Sequence, residues 1–156
     1  MPSVKLFFSY SHKDEDLRDE LVKHLTILKR QNIIAPWQDR DIEAGAEWNE
    51  EIQRHLNEAQ IILLLISANF IASDFCWDNE MDQAMKRHEA GTAVVIPIVL
   101  SSCDWKGAPF GKLQGLPKDM KPVKDWPDHD QAWFNVEQGI RRVAEKLAAN
   151  PPQARS

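Results

Sequence analysis

Six consecutive aliphatic residues, Ile61 to Ile66 (IILLLI), constrain the fold more than any other stretch of this chain. A run of that length, partly β-branched and followed by small and polar residues, is typical of a strand buried on both faces. The segment after such a strand lies at the sheet edge where ligands of open α/β sheets bind. We therefore expect residues 67–75 to lie at a ligand-binding edge, followed by a helix with Glu80 in its first turns.

The other segments alternate between strand-like and helix-like patterns. Strands are predicted at residues 4–9, 33–37, 61–66 and 93–99, with a short fifth strand near 120–123. Helices are predicted at residues 15–30, capped by Asp14, and at 46–59, 75–89 and 130–149. Such alternation indicates a parallel sheet covered by helices on both faces. We expect a flavodoxin-like, doubly wound α/β fold with five mainly parallel strands.

Charge and composition exclude several classes of protein. The chain has 19 basic and 24 acidic side chains, a net charge of −5, and no basic cluster that would favour nucleic-acid binding. No apolar stretch approaches the roughly 20 residues of a membrane helix, and we expect a cytoplasmic protein without a signal peptide. Cys76 and Cys103 are too few for a zinc site, so no metal is expected. We expect one domain at 1–150 and a tail or the start of a linker at 151–156.

Three separated motifs lie near the ends of predicted strands. The first is FFSYS at 7–11, with acidic residues at 14 and 15; the second is WQDRDI at 37–42, with Gly45 beyond it; the third is SANFIASDFCWDNEM at 67–81. In this order they resemble box 1, the BB loop and the S-x-x-[FY]-x-x-S-x-[WY]-C-x-x-E pattern of the Toll/interleukin-1 receptor (TIR) domain family. The resemblance is to the prokaryotic branch, and it extends from about residue 4 to 147.

The resemblance implies cleavage of NAD⁺ between nicotinamide and ribose, followed in some family members by cyclisation of the ADP-ribose. Departure of nicotinamide leaves an oxocarbenium-like cation on the ribose, which a neighbouring carboxylate can stabilise. NAD⁺ is then the substrate, and no separate cofactor is needed. The catalytic residue that the resemblance implies is Glu80.

The third motif departs from the family pattern by one residue. Two residues separate Cys from Glu in the pattern, whereas three separate Cys76 from Glu80. Counting from Cys76 leads to Asn79, and counting from the glutamate and its apolar neighbour leads to Glu80. We assign Glu80 because an amide carries no negative charge, with Asp78 as the next candidate. The structural alternative is that Glu80 is a solvated acid near a helix N-terminus.

Six further residues are predicted to bind the nucleotide: Ser9, Tyr10, Ser11, Asp39, Phe75 and Trp77. The first three follow the first strand, and their alternative role is to cap the next helix. The two later aromatic residues could stack on the nicotinamide or adenine ring, although an aromatic residue at a helix start often packs internally. The aspartate could contact the ligand or a neighbouring subunit, or it could be a solvated loop charge.

Two functions from different classes remain open. One is an NADase of prokaryotic immunity, active when its BB loop (38–47) joins other TIR domains in a homo-oligomer or filament, with a C-terminal sensor domain or a separate activator. The other is a non-enzymatic TIR adaptor that acts through TIR–TIR contacts alone. A phosphoacceptor response regulator fits poorly because Ser9, Tyr10 and Ser11 occupy the positions where it needs acidic residues. No nucleic acid or membrane partner is expected.

Overall fold

A parallel sheet of four strands lies at the centre of the computed structural model, which describes residues 3–37 and 44–149. The strands are β1 (Val4–Ser9), β2 (Ile34–Trp37), β3 (Ile61–Ile66) and β4 (Val94–Val99). The α-helices of the described ranges are α1 (Glu15–Arg30), α2 (Trp48–Glu58), α3 (Ala68–Ala72), α4 (Asp82–Glu89) and α5 (His129–Ala149). None of these helices is both long enough and apolar enough to span a membrane.

The strand order β2-β1-β3-β4 creates a crevice at one edge of the sheet. β1 pairs in parallel with β2 on one side and with β3 on the other. β3 pairs with β4 along its whole length, from Ile61 opposite Val94 to Ile66 opposite Val99. Because the chain turns to β2 on one side of β1 and then crosses to β3 on the other, the carboxyl ends of β1 and β3 form the topological switch point.

β3 supports a hydrophobic core on each side of the sheet. Its odd-numbered residues pack with the leucines of α1 and the apolar face of α5. Its even-numbered residues pack with apolar side chains of α2, α3 and α4. All six residues of β3 have an exposed fraction of 0%. The predicted doubly wound fold, with a central buried strand at 61–66, is therefore confirmed.

The predicted fifth strand at 120–123 is wrong. That stretch runs from the end of one short 3₁₀ turn, Lys118–Met120, to the start of another, Val123–Asp125, and Leu116 makes a single parallel bridge to Ile98 of β4. Pro122 lies within the predicted strand and Pro117 lies shortly before it, and proline has no backbone N–H to donate to a ladder. The sheet of the described residues therefore ends at β4 with one bridged residue beside it.

The helices lie close to their predicted bounds, with two informative differences. The predicted helix at 75–89 begins with a π-helical segment, Phe75–Met81, that continues directly into α4. Asp14 precedes α1 as predicted, but its carboxylate makes no capping hydrogen bond to that helix. The carboxylate of Asp14 instead accepts hydrogen bonds from Ser67 and Asn69 near the switch point.

Arg87 of α4 connects three chain segments at the end of the sheet opposite the switch point. Its Nη1 donates to the carbonyls of Leu56 and Ala59, at 2.7 and 2.6 Å, and its Nη2 donates to the carbonyl of Thr92 at 2.8 Å. The first two carbonyls belong to the C-terminal end of α2, where a helix lacks intrahelical donors. Burial lowers the pKa of the Arg87 guanidinium, yet an arginine keeps its charge at ordinary pH.

Replacement of Arg87 by lysine should destabilise the domain although the charge is kept. A lysine ammonium cannot reach three separate carbonyls in the fixed geometry of a guanidinium, and we expect the free energy of unfolding to fall by about 2 kcal/mol. Lys86→Ala is the control, since Lys86 is exposed and pairs with the exposed Asp82, at 3.1 Å; it should change stability by less than about 0.5 kcal/mol. Urea unfolding of both variants measures the difference, and equal stabilities would contradict the assigned role of Arg87.

Candidate functional site

The switch point is lined by polar residues that follow β1 and β3. Ser9 is the last residue of β1, and Ser67 follows β3 as the N-cap of α3. Both serines are almost completely buried, as are Asp14 and Glu80, whose exposed fractions are each 5%. A buried polar group costs free energy unless it is hydrogen-bonded, and a buried carboxylate costs more. The contacts of these side chains therefore determine how this edge of the sheet is built.

Glu80 is held against the end of β1. Ser9 Oγ donates a hydrogen bond of 2.6 Å to Glu80 Oε1, and both side chains are buried. Such a short bond from a hydroxyl to a carboxylate is typical of a charge-assisted interaction. The sequence prediction that residues 9–11 and Glu80 lie at one sheet edge is consistent with this contact. The structural alternative was that Glu80 is a solvated acid near a helix N-terminus. A side chain with an exposed fraction of 5% is not solvated, so this alternative does not apply.

Cys76 forms a second connection between the π-helical segment and the chain after β1. Its Sγ donates to the backbone carbonyl of Tyr10 at 3.3 Å. Burial raises the pKa of the Cys76 thiol to about 12, and the nearby carboxylate of Glu80 acts in the same direction. The thiol therefore stays neutral at ordinary pH and serves as a donor rather than as a nucleophile.

Asp14 is a buried residue whose role the sequence analysis missed. Its carboxylate accepts hydrogen bonds from Ser67 Oγ and from Asn69 Nδ2, the latter at 3.1 Å. Ser67 Oγ in turn accepts from the backbone N–H of Phe70 at 3.0 Å, which caps α3. These bonds connect the start of α1 to the segment after β3. The one sign of this contact in the sequence was the serine directly after the buried strand. An aspartate just before a helix, however, is explained equally well as an ordinary N-cap.

Tyr10 and Ser11 have structural contacts of their own. The guanidinium carbon of Arg18, a fully buried residue, lies 4.6 Å from the centroid of the Tyr10 ring. Ser11 Oγ accepts a hydrogen bond of 3.3 Å from the backbone N–H of Lys13, at the start of a 3₁₀ turn. The capping alternative therefore applies to Ser11, and the ring of Tyr10 is largely buried. Nucleotide binding by either residue stays a prediction.

The remaining predicted site residues differ in position. Trp77 is half-buried, and its ring meets that of Phe110 edge-on at a centroid distance of 6.1 Å. Phe75 begins the π-helical segment, but its side chain lies outside the described part of the structure, as does the whole of Asp39. The two alternatives to Glu80, Asp78 and Asn79, are both exposed. Only Glu80 of these three places a side chain in the buried contact with β1.

The described side chains offer no arrangement for a metal ion. Within residues 3–37 and 44–149, no group of three or more His, Cys, Asp or Glu side chains is placed to coordinate one. The polar groups at the switch point are instead hydroxyls, carboxylates and one thiol. Carboxylates attract positive charge, and hydroxyls both donate and accept hydrogen bonds.

Comparison with known proteins gives a consistent result. The family model of the TIR domain matches residues 6–142. The protein y4lF of Sinorhizobium fredii is 53% identical over 158 residues, which cover 100% of this chain and 48% of that protein. The disease resistance protein TAO1 of Arabidopsis thaliana is 27% identical over 85 residues, or 54% of this chain and 7% of that protein. The chain thus spans about half the length of y4lF and a small part of TAO1.

Two solved structures share the fold. The TIR domain of the Toll-related receptor TRR-2 of Hydra magnipapillata superposes with a TM-score of 0.60 and 20% identity, covering 87% of this chain and 97% of that one. The TIR domains of the activated Roq1 resistosome, which recognises the pathogen effector XopQ, give a TM-score of 0.54 and 19% identity, covering 90% and 85%. The doubly wound α/β fold predicted from the alternation of strands and helices is confirmed by these matches.

The raised pKa of Cys76 should appear in the pH dependence of stability. An unfolded chain releases the thiol proton near its ordinary pKa of about 8.5, whereas the folded chain holds it to about 12. The contribution of the neutral thiol to the free energy of unfolding is therefore complete below pH 8. It decreases as the pH rises from about 9 towards 12. In this window the free energy of unfolding of the wild type should fall, relative to that of Cys76→Ala, by up to about 1 kcal/mol per pH unit.

Urea unfolding at pH 7, 9.5, 10.5 and 11 measures this difference. The Cys76→Ala variant acts as its own control at pH 7, where the offset from the wild type reflects only the lost packing and hydrogen bond. Other groups that titrate above pH 9, including Cys103, are present in both proteins and cancel. An offset that stays constant to pH 11 would contradict a buried, neutral Cys76 thiol.

Proposed function

The chain belongs to the TIR domain family, and on that premise we propose that it is an NAD⁺ glycohydrolase that cleaves the bond between nicotinamide and ribose. The observation that carries this proposal is the buried Glu80 carboxylate at the switch point between β1 and β3, 2.6 Å from Ser9 Oγ. Ligands of doubly wound sheets bind at this position. Among the described residues, two buried carboxylates lie there; that of Asp14 already accepts from Ser67 and Asn69, and we assign to Glu80 the negative charge that the reaction needs.

The proposed reaction follows from the charge that it generates. Nicotinamide leaves with the electrons of the glycosidic bond, and the ribose becomes oxocarbenium-like at C1′. Glu80 stabilises this cation and holds the ribose hydroxyls, and a water molecule adds at C1′ with loss of a proton, giving ADP-ribose. In the cyclase variant of the reaction, an atom of the same ADP-ribose replaces the water. NAD⁺ is the substrate, and no cofactor takes part.

Ser9 is proposed to orient the carboxylate in this reaction. Its hydroxyl occupies one carboxylate oxygen, Oε1, and so fixes the plane in which the other oxygen is presented. Tyr10, Ser11, Trp77, Phe75 and Asp39 are proposed to surround the rest of the nucleotide. The half-buried Trp77 supports a stacking role because it keeps part of its ring accessible beside the segment that carries Glu80.

Self-assembly is proposed to control the activity in the cytoplasm of a prokaryotic cell, as part of immune defence. The assembly of TIR domains in the activated Roq1 resistosome supports this idea, as does the exposed segment Ala44 to Glu47 at the end of the BB loop. The activator is proposed to be a C-terminal sensor domain or a separate protein. The domain itself is proposed to comprise residues 1–150, with 151–156 as a tail or linker.

Removal of the charge of Glu80 should abolish nicotinamide release. Glu80→Gln keeps the size of the side chain and an oxygen that accepts from Ser9, so the fold should remain, while the rate should fall at least about 100-fold. Glu137→Gln is the matched control, because Glu137 is equally buried but lies on α5, where it pairs with Arg141 at 3.3 Å.

Both variants are incubated with NAD⁺ at high protein concentration, or after artificial clustering, and products are separated by chromatography. The Glu137→Gln enzyme should keep the wild-type rate. Equal release by wild type and Glu80→Gln would overturn the assigned role, and the chromatogram distinguishes linear from cyclic ADP-ribose in the same run.

A second candidate function is an interaction module without catalysis, favoured by the same exposed loop segment. Gly45 has a φ of +90°, a conformation that other residues rarely adopt, and no atom of the described residues lies within 4 Å of the position of an added Cβ. Replacement of Gly45 is therefore restricted by its backbone conformation and not by the space available for a side chain. Self-association with no release of nicotinamide at any concentration would favour this module over the enzyme.

Gly45→Ala should weaken self-association through this backbone constraint. A strain of about 1 kcal/mol in the loop corresponds to about a fivefold loss of affinity between subunits. Gly107→Ala is the control, since its Cβ would also enter open space but its φ is not positive. Analytical ultracentrifugation and the concentration dependence of nicotinamide release report the effect; identical behaviour of both variants would exclude Gly45 from the assembly surface.

A further inference from the structure

The buried face of the helix that carries Glu80 changes phase at the π-helical segment. From Glu80 onward, the buried residues follow the ordinary α-helical pattern: Glu80, Met81, Ala84 and Met85. Continued backward with α-helical spacing, this face has position 77 near its centre, three residues before Glu80 and four before Met81, and position 76 at its margin, four before Glu80. The structure buries Cys76 and leaves Trp77 half-exposed.

A π turn explains this change of phase. Its hydrogen bonds run from residue i to i+5, so it contains one residue more than an α turn. With that extra residue, Cys76 takes the place that an α-helix would give to position 77. Cys76 Sγ then reaches the carbonyl of Tyr10 at 3.3 Å while Glu80 Oε1 accepts from Ser9 at 2.6 Å.

We propose that the π-helical segment Phe75–Met81 positions Glu80 by absorbing one surplus residue between Cys76 and Glu80. The surplus equals the one-residue difference between this sequence and the C-x-x-E spacing of the family motif. Removal of one residue from this turn converts it to an α turn and leaves Cys76 and Glu80 in register with β1. The functional meaning of this positioning depends on the proposed NADase activity, but the helical register does not.

Deletion of Asp78 tests the proposal directly, because Asp78 is an exposed residue inside the π turn. After the deletion, Cys76 stands three residues before Glu80 and four before Met81, which is the buried spacing of an α-helix. The variant should fold with a Tm within about 3 °C of the wild type. It should also release nicotinamide with a kcat within about threefold of the wild type.

Deletion of Asp82 is the matched control. Asp82 is also exposed and lies in the same continuous helix, but within α4, where no π turn can absorb the change. This deletion rotates the buried residues after position 82 by about 100° relative to Glu80. Its Tm should fall by at least about 8 °C, since Ala84 and Met85 leave the core and Arg87 loses its carbonyl acceptors.

A readout other than activity follows the contact between Ser9 and Glu80. Ser9→Ala should lower the Tm by the same amount in the wild type and in the Asp78 deletion, because the hydrogen bond to Glu80 exists in both. When Glu80→Gln is also present, Ser9→Ala should lower the Tm by a smaller amount. That amount should again be the same with and without the Asp78 deletion. Unequal effects would mean that the deletion has moved Glu80 away from β1 and would overturn the proposal.

The remaining outcomes separate the two proposals from each other. If both deletions lower the Tm equally, the π turn does not absorb a residue, and the inference fails whatever the activity. If the Asp78 deletion keeps its Tm but its kcat falls more than about 30-fold, helical register does not position the carboxylate, and the inference also fails. If no protein releases nicotinamide while the Tm pattern is as expected, the register is supported and the NADase function is not.

Discussion

Complete burial of β3 is the constraint on which the rest of the structure depends. A strand without solvent on either face must be covered by helices on both sides and flanked by strands at both edges, and β1 and β4 occupy those edges. The same burial places the segment after β3 beside the end of β1 at the switch point. Every polar group of the candidate site therefore lies in a position set by six aliphatic residues.

Burial of polar groups at that edge has a second consequence, because it makes the hydrogen bonds there obligatory. Asp14 and Glu80 are both nearly enclosed, and each accepts from a serine on a neighbouring chain segment. Removal of either hydroxyl would leave a buried carboxylate without that donor, at a cost larger than that of an ordinary surface bond. The two acids thus hold together the segments that follow β1 and β3. Asp14, just before α1, binds the segment after β3, and Glu80, in the π-helical segment, binds the end of β1.

Much of this arrangement could be predicted from the sequence, and the failures have physical causes. The strands at 4–9 and 61–66 and the long helices were predictable because hydrophobic periodicity reports burial directly. The fifth strand failed because prolines at 117 and 122 deny it a ladder. The contact of Asp14 with Ser67 was not predictable, since the two are 53 positions apart and a cap before α1 explained the aspartate equally well.

The only sign of the π turn in the sequence was the spacing between Cys76 and Glu80, which is one residue longer than in the C-x-x-E motif. Counted along the chain, three residues between Cys76 and Glu80 fit an α-helix as well as a π-helix, because positions i and i+4 share a face in the former. The half-exposed position of Trp77, three residues before the buried Glu80 and four before the buried Met81, distinguishes the two. By adding one residue, the turn moves Trp77 from the buried face to a half-exposed position against Phe110. An enclosed carboxylate and a partly accessible indole then lie on one short segment, which is what a ribose cation and a planar base would require of the proposed site.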